Sequence, residues 1–356
     1  MWSHAPFPGS THGRSPIPCS QTYTRWPVIQ PSDDTIFSAT LETCLDHFHE
    51  RAHPTRSRGV STDYSHVQPP SLDYRYEFAP DELADIVGCT AAHGFSIVRG
   101  LLPDDLVELL QSEVRRVVDP DSTLGPGESR THLSFIEGAT EAWEPWLGHA
   151  PFMNLHHAML GTDDVCFHRS AAIIRNPGSA PVGWHTDWCG QTDGPPQNTG
   201  DVLNRGLWPS GKWFYITGSR PSHGGLCLIE DSHIENWEGP VGFRLTKDRR
   251  SFYPVQDEAE KRYNGFDIPG LVPLFTEPGD CIVFAHRTFH GAFPNNESHQ
   301  RLSCAVGFRP KSHTIDAPWQ LPESSRKFIL ALPERFKTYT EGYTGIDPSF
   351  KGTTAA

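Results

Sequence analysis

The stretch EPGDCIVFAHRTFHGAFPNNESHQRLSCAVGFRP, residues 277–310, decides how this chain folds. It opens on the turn Glu277-Pro278-Gly279-Asp280, runs through the apolar Cys281–Phe284, carries His286 and His290 into a second turn and returns through Leu302–Phe308. Short apolar runs bounded by Gly, Pro and Asn cannot complete a helix and are read as strands buried on both faces. Working outward, Ala171–Ile174, Trp213–Ile216 and Leu226–Ile229 have the same character, with turns such as Asn176-Pro177-Gly178 between them. From about residue 165 onward the chain therefore reads as mainly β, a sandwich or barrel.

Upstream the period changes. Ala79-Pro80-Asp81-Glu82 opens a helix that ends at His93-Gly94, Phe95–Val98 is a short strand, and Leu102-Pro103-Asp104-Asp105 starts a second helix with acids at its positive end. Residues 1–72 read as an N-terminal extension, proline-broken up to Ser32 and with one helix after it; 73–312 form the main domain; 313–356 are a C-terminal extension. In that last part Phe328, Ile329, Leu332 and Phe336 fall on one helical side, expected to pack on the body, with a homodimer contact as the sharper alternative.

Composition removes several classes of function. With 30 basic and 43 acidic residues the net charge is −13, which argues against nucleic-acid or anionic-membrane partners, because both need a basic patch. No apolar run approaches a membrane span. The 8 cysteines form no C-x-x-C pair, so free thiols in a reducing cytoplasm are expected. Residues 1–32 contain Arg14 and Arg25 and no acid, a bias shared with organelle-targeting segments, although the prolines there oppose an amphipathic helix.

Among 19 histidines, about two His-x-acid pairs arise by chance, so His185-Thr186-Asp187 means little alone. Its context raises it. Trp184 and Trp188 flank it, as core or as cleft lining, a Pro-Gly turn precedes it, and the 277–310 stretch brings a distal histidine and then Arg301. His and Asp at i and i+2 of an extended segment point the same way. Two imidazoles and a carboxylate on one side of a non-haem iron leave three adjacent positions, enough for a bidentate oxoacid and dioxygen. An arginine on a neighbouring strand can hold the far carboxylate of that oxoacid.

Four segments, in order, carry a resemblance: FAPDELADIVGCTAAHGFSIVRGLLPDDLVELL; IIRNPGSAPVGWHTDW; Gly224-Gly225-Leu226 with Asp231-Ser232-His233; and residues 277–310. Across roughly residues 78–310 the chain resembles the phytanoyl-CoA dioxygenase-like branch of iron(II)/2-oxoglutarate oxygenases. The resemblance implies a double-stranded β-helix, the cupin-like jelly roll, with flanking helices. It implies His185, Asp187 and His290 as iron ligands and Arg301 as the partner of the distal 2-oxoglutarate carboxylate. Trp213 stands where the family often places an aromatic beside the co-substrate. Fe(II), 2-oxoglutarate and O2 are the implied cofactors and co-substrates. The reaction it implies is hydroxylation of a small organic molecule coupled to succinate formation, with desaturation, ring closure and epoxidation open to the same ligands. Asp187 stands against halogenation.

Three departures matter, of which the turn Asp231-Ser232-His233, in place of the family's Gly-Ser-His, is expected to change only loop conformation. Where the family commonly has Ser two residues after the distal histidine, this chain has Ala292; Ser303, on the face of Arg301, is expected to supply the missing hydrogen bond, with Thr288 as runner-up. The segment Cys189–Gly211 is longer than the family's and is expected to be a loop serving as a lid over an apolar, natural-product-like substrate of secondary metabolism. His233, His168 and His286 are read as structural. The competing reading is a jelly-roll metal or binding protein without 2-oxoglutarate chemistry, against which Arg301 argues.

Overall fold

Helix ends in this protein are set by residues that cannot continue them. In a computed structural model describing residues 63–188, 199–204 and 211–352, the chain enters through β1 (Glu77–Phe78), α1 (Leu83–His93) and β2 (Phe95–Val98). α1 stops because Gly94 turns left-handed at φ +84° while its N–H bonds the Thr90 carbonyl. A Cβ there would meet His233 at 2.7 Å, so both conformation and space call for glycine. α2 (Asp104–Val118) begins after Pro103 and buries Leu106, Leu110, Val114 and Val118. β3 (Ser129–Leu133) leads to α3 (Phe135–Gly138), α4 (Trp143–Leu147) and α5 (Ala150–Leu160), then to β4 (Val165–Arg175) and β5 (Val182–His185). After α6 (Thr199–Asn204) come β6 (Gly211–Trp213), β7 (Leu226–Ile229), β8 (Phe243–Leu245), β9 (Phe252–Pro254) and β10 (Leu271–Pro273). β11 (Cys281–Phe284), β12 (His290–Ala292), β13 (Arg301–Pro310) and α7 (Glu323–Ala331) complete the order.

One sheet has the order β1-β2-β11-β6 and a second β13-β4-β3; the bridge between Phe214 and Cys304 joins their edges into one layer. The opposing layer is β10-β7-β12-β5, and the hairpin β8-β9 lies outside it. Strand alternation divides the apolar residues into three clusters. Val98, Cys281, Val283, Ala172, Ile174, Leu302 and Cys304 pack outward against α2, α4 and α5. Phe95, Ile97, Ile282 and Phe284 pack inward against Leu226, Leu228 and Val272 of the other layer. Trp184, Cys227, Ile229, Phe289 and Phe252 pack on the far side of that second layer. Two facing sheets with helices on one outer face are the jelly roll, mainly β with flanking helices.

β2, β7 and β11 match their expected bounds. β4 is longer than its apolar centre Ala171–Ile174, because Arg169 and Arg175 belong to the ladder although they interrupt the hydrophobic run. The segment expected as one loop contains α6, whose Val202 and Leu203 are buried; the rest of it, 189–198 and 205–210, lies outside the described residues. The same is true of residues 1–62, including the targeting-like stretch and the helix expected after Ser32. In the C-terminal part the helix breaks at Leu332-Pro333 and resumes as a 3-10 segment, Glu334–Thr340. Phe328, Leu332, Phe336 and Tyr343 still join the outer core. No helix among the described residues is long and apolar enough to cross a membrane.

Candidate metal centre

β5 and β12 are antiparallel neighbours whose register sets His185 directly opposite His290. Their ring centroids are 4.3 Å apart. Asp187, two residues after His185, completes a group whose ligating atoms all lie within 4.8 Å of one another. Thr186, between them, points the other way: its hydroxyl donates to the His286 carbonyl at 2.6 Å and pins the segment. His185 Nδ1 lies 2.9 Å from the Gly183 carbonyl and His290 Nδ1 3.0 Å from the Thr288 carbonyl. A carbonyl only accepts, so each Nδ1 carries the proton and each Nε2 keeps its lone pair, the tautomer a metal ligand needs.

Electrostatics keep His185 and Asp187 in ligand form. Burial, reinforced by the neighbouring His290, lowers the His185 pKa to about 3, so the ring is neutral. Burial pushes the Asp187 carboxyl up, but its neighbours, the charge of Arg169 foremost, outweigh it and hold the group well below the usual carboxylate range. Arg169 Nη2 donates to Asp187 Oδ2 at 3.0 Å, and Nη1 donates to Asn204 Oδ1 of α6 at 2.8 Å. Two imidazoles and one carboxylate form a donor set that suits Fe(II).

The inner face of β13 and β4 adds cations. Arg301 pairs in register with Arg175, and Ser303 with Ile173, so all four side chains share a face. Arg301 is 2% exposed; its Nη1 donates to Ser303 Oγ at 2.7 Å, its guanidinium lies 4.8 Å from the Tyr215 ring centre, and its Nε has no partner. Burial lowers its pKa, and burial together with Arg301's charge lowers that of Arg175 to about 9. Among the described residues no carboxylate offsets either cation. A buried guanidinium that no described carboxylate offsets suits an anion, and a dicarboxylate co-substrate meets that need. The donor set and this cation together fit iron and 2-oxoglutarate.

Trp213 pairs with Ile282, which faces inward, and packs against the inner cluster. Thr288 does not join the group, because its hydroxyl donates to the Gly94 carbonyl at 2.8 Å. Trp184 is core: it is 2% exposed on the far side of the layer, and its indole N–H donates to the Gly265 carbonyl. Trp188 stacks under Arg287 at 4.4 Å. His233 bonds the Ala91 carbonyl. Sequence reading missed Arg169, Arg175 and Tyr215. The two arginines stand an even number of positions apart on one strand, a signal for a shared face that the interrupted hydrophobic run obscured.

Residues 91–303 match the family model described as phytanoyl-CoA dioxygenase. No curated protein matches the sequence. Among solved structures, the epimerase SnoN, in complex with Fe3+, alpha-ketoglutarate and nogalamycin RO, is 16% identical, with 78% of this chain and 96% of that one covered at a TM-score of 0.47. The carbocyclase SnoK from nogalamycin biosynthesis is 16% identical, covering 68% and 90% at 0.49. HygX from Streptomyces hygroscopicus, with nickel, 2-oxoglutarate and hygromycin B bound, is 18% identical, covering 64% and 86% at 0.46. Likenesses this distant carry nothing about the substrate.

Proposed function

The chain belongs to the phytanoyl-CoA dioxygenase family, a non-haem iron, 2-oxoglutarate-dependent enzyme class, and from that premise we propose that it hydroxylates a small organic molecule at a centre built from His185, Asp187 and His290. The observation that carries this reading is the convergence of those three ligating atoms within 4.8 Å, on the inner side of a roll whose other wall holds the buried Arg301. Bound iron and 2-oxoglutarate supply the oxidising chemistry: one O2 and one 2-oxoglutarate become succinate, CO2 and one hydroxyl on the substrate.

The protein's own groups bind and orient. His185 and His290 present Nε2 because their Nδ1 protons are spent on backbone carbonyls. Asp187 stays ionised beside Arg169. Arg301 pairs with the distal carboxylate. Ser303 accepts from Arg301 Nη1, so its own proton remains to donate to that carboxylate, in place of the hydroxyl the family takes from the position of Ala292. Trp213 borders the co-substrate. We read residues 73–312 as the catalytic roll between an N-terminal extension (1–72) and a C-terminal extension (313–356); the joining of Phe328 and Phe336 to the outer core supports a C-terminal part that packs on the body. A homodimer contact is the alternative for this part, and α7 exposes one leucine there, Leu330. The five described cysteines are buried and free, which favours a reducing cytoplasm.

Succinate release that needs both Fe(II) and 2-oxoglutarate tests the reading, with a metabolite extract screened for products 16 mass units heavier. A product 2 units lighter would replace hydroxylation by desaturation or ring closure. Absence of both 2-oxoglutarate binding and succinate release would overturn the oxygenase and leave a jelly-roll binding protein.

A further inference from the structure

We propose that Arg169 is a positioning residue for the metal centre: it holds Asp187 as a one-oxygen ligand and, through Asn204, ties that geometry to the helix inserted ahead of β6. The inference rests on the assignment of His185, Asp187 and His290 as the metal ligands. Arg169 stands on the inner face of β4, opposite Gly307, which has no side chain to crowd it. Its two terminal nitrogens serve different partners, Nη2 on Asp187 Oδ2 at 3.0 Å and Nη1 on Asn204 Oδ1 at 2.8 Å. A planar fork does this with one side chain; the single ammonium of lysine cannot hold both in the same geometry. Asn204 is itself fixed. It is 6% exposed at the end of α6, beside the buried Val202 and Leu203, and Thr199 at the start of α6 donates to the Asp347 carbonyl at 2.7 Å.

The consequence lies in counting coordination positions. A carboxylate with one oxygen engaged by a guanidinium ligates through a single oxygen, whereas one released from it can chelate. Chelation by Asp187 would take a position that a bidentate 2-oxoglutarate needs. Arg169 is also a positive charge beside the metal, so its removal gives no electrostatic reason for weaker metal binding. The signature is a split: metal affinity holds or rises while 2-oxoglutarate affinity falls. A merely structural arginine would lower both.

The full chain, Arg169→Met, Arg169→Lys, Asn204→Leu and the double variant Arg169→Met with Asn204→Leu are titrated with Co(II), read by its ligand-field absorption. Each Co(II)-loaded protein is then titrated with 2-oxoglutarate by calorimetry. Arg169→Met is expected to bind Co(II) at least as tightly as the parent, with a changed absorption spectrum, and 2-oxoglutarate about tenfold more weakly. Arg169→Lys keeps the charge, so it should fall between, and full recovery of 2-oxoglutarate affinity in it would assign the loss to charge alone and overturn the positioning role. Asn204→Leu should cost roughly two- to threefold in 2-oxoglutarate affinity in the parent and nothing once Arg169 is Met. Co(II) affinity that falls together with 2-oxoglutarate affinity overturns the positioning role. An Asn204→Leu effect of equal size in both backgrounds overturns the link to α6. Should Arg169→Met fail to fold, Arg169→Lys and Asn204→Leu still read the same split. A parent that binds no Co(II), or binds it unchanged after His185→Ala, overturns the metal-centre assignment and the proposal with it, an outcome distinct from either of the others.

Discussion

The two faces of β4 and β13 contrast sharply, one apolar and one cationic. Outward, Ala172, Ile174, Leu302, Cys304 and Val306 are almost fully buried among helix side chains. Inward, on the alternate residues of the same strands, stand Arg169, Arg175, Arg301 and Ser303. The outer face is what hydrophobic burial rewards. The inner face works against the fold, because Arg175 and Arg301 are like charges directly across a ladder and no carboxylate among the described residues offsets them. Each strand is thus held by one side and made useful by the other.

Substitutions on the two faces should therefore separate function from stability. The largest effect is expected at the metal ligands: His185→Ala, Asp187→Ala or His290→Ala should each lower Fe(II) affinity by on the order of a hundredfold or more, since three ligands leave no redundancy. The melting temperature of the metal-free protein should barely move. A large stability loss in any of them would show the inner face to be structural after all.

On the other side, Ile174→Ala or Leu302→Ala should cost about 3 kcal/mol in denaturant unfolding, because each leaves a cavity in a dry core. Metal affinity measured below the transition should be retained. Its loss would mean that the two faces are coupled through the strand backbone. Arg301→Ala comes next, raising the 2-oxoglutarate KM by one to two orders of magnitude, about 2–3 kcal/mol for a charge-assisted pair. The same variant should be at least as stable as the parent, since a buried cation that no described carboxylate offsets is removed.

Acid sharpens the contrast through two buried histidines. His156 and His168 are buried with pKa values well below 6.5, lowered first by burial. In the unfolded chain they titrate near 6.5, so below that pH the unfolded state binds more protons and stability falls as pH falls. The expected slope is about 1.4 kcal/mol per pH unit for each histidine. A flat unfolding free energy between pH 6.5 and 5 would show these rings to be solvated. The smallest effect is expected for Ser303→Ala, which should weaken 2-oxoglutarate by roughly 1 kcal/mol and leave Fe(II) affinity unchanged. If Thr288→Val weakens 2-oxoglutarate instead, the hydroxyl that replaces the family's serine comes from the other strand.

Much of this was legible along the chain because its causes are local. Turn residues and short apolar runs dictate strands wherever they occur, so β2, β7 and β11 could be bounded from their own residues. Gly94 and Pro103 mark their helix ends through backbone constraint alone. His185 and Asp187 share a side because of strand alternation, and the donor set follows from their chemistry.

What only the tertiary structure decided depends on register and on which face turns inward. Alternation says that Trp184 and His185 point opposite ways, but not that the indole enters a core with Phe252 and Phe266 while the imidazole meets His290. Thr288 lies two residues from a candidate ligand, yet its hydroxyl is taken by Gly94, far away along the chain. Arg175 faces Arg301 only through the pairing of β4 with β13, and Arg169 meets Asp187 and Asn204 only once three separate segments converge. A charge or a hydroxyl is assigned by whatever lies within 3 Å of it, and that neighbour is chosen by the packing of the whole roll rather than by the residues on either side.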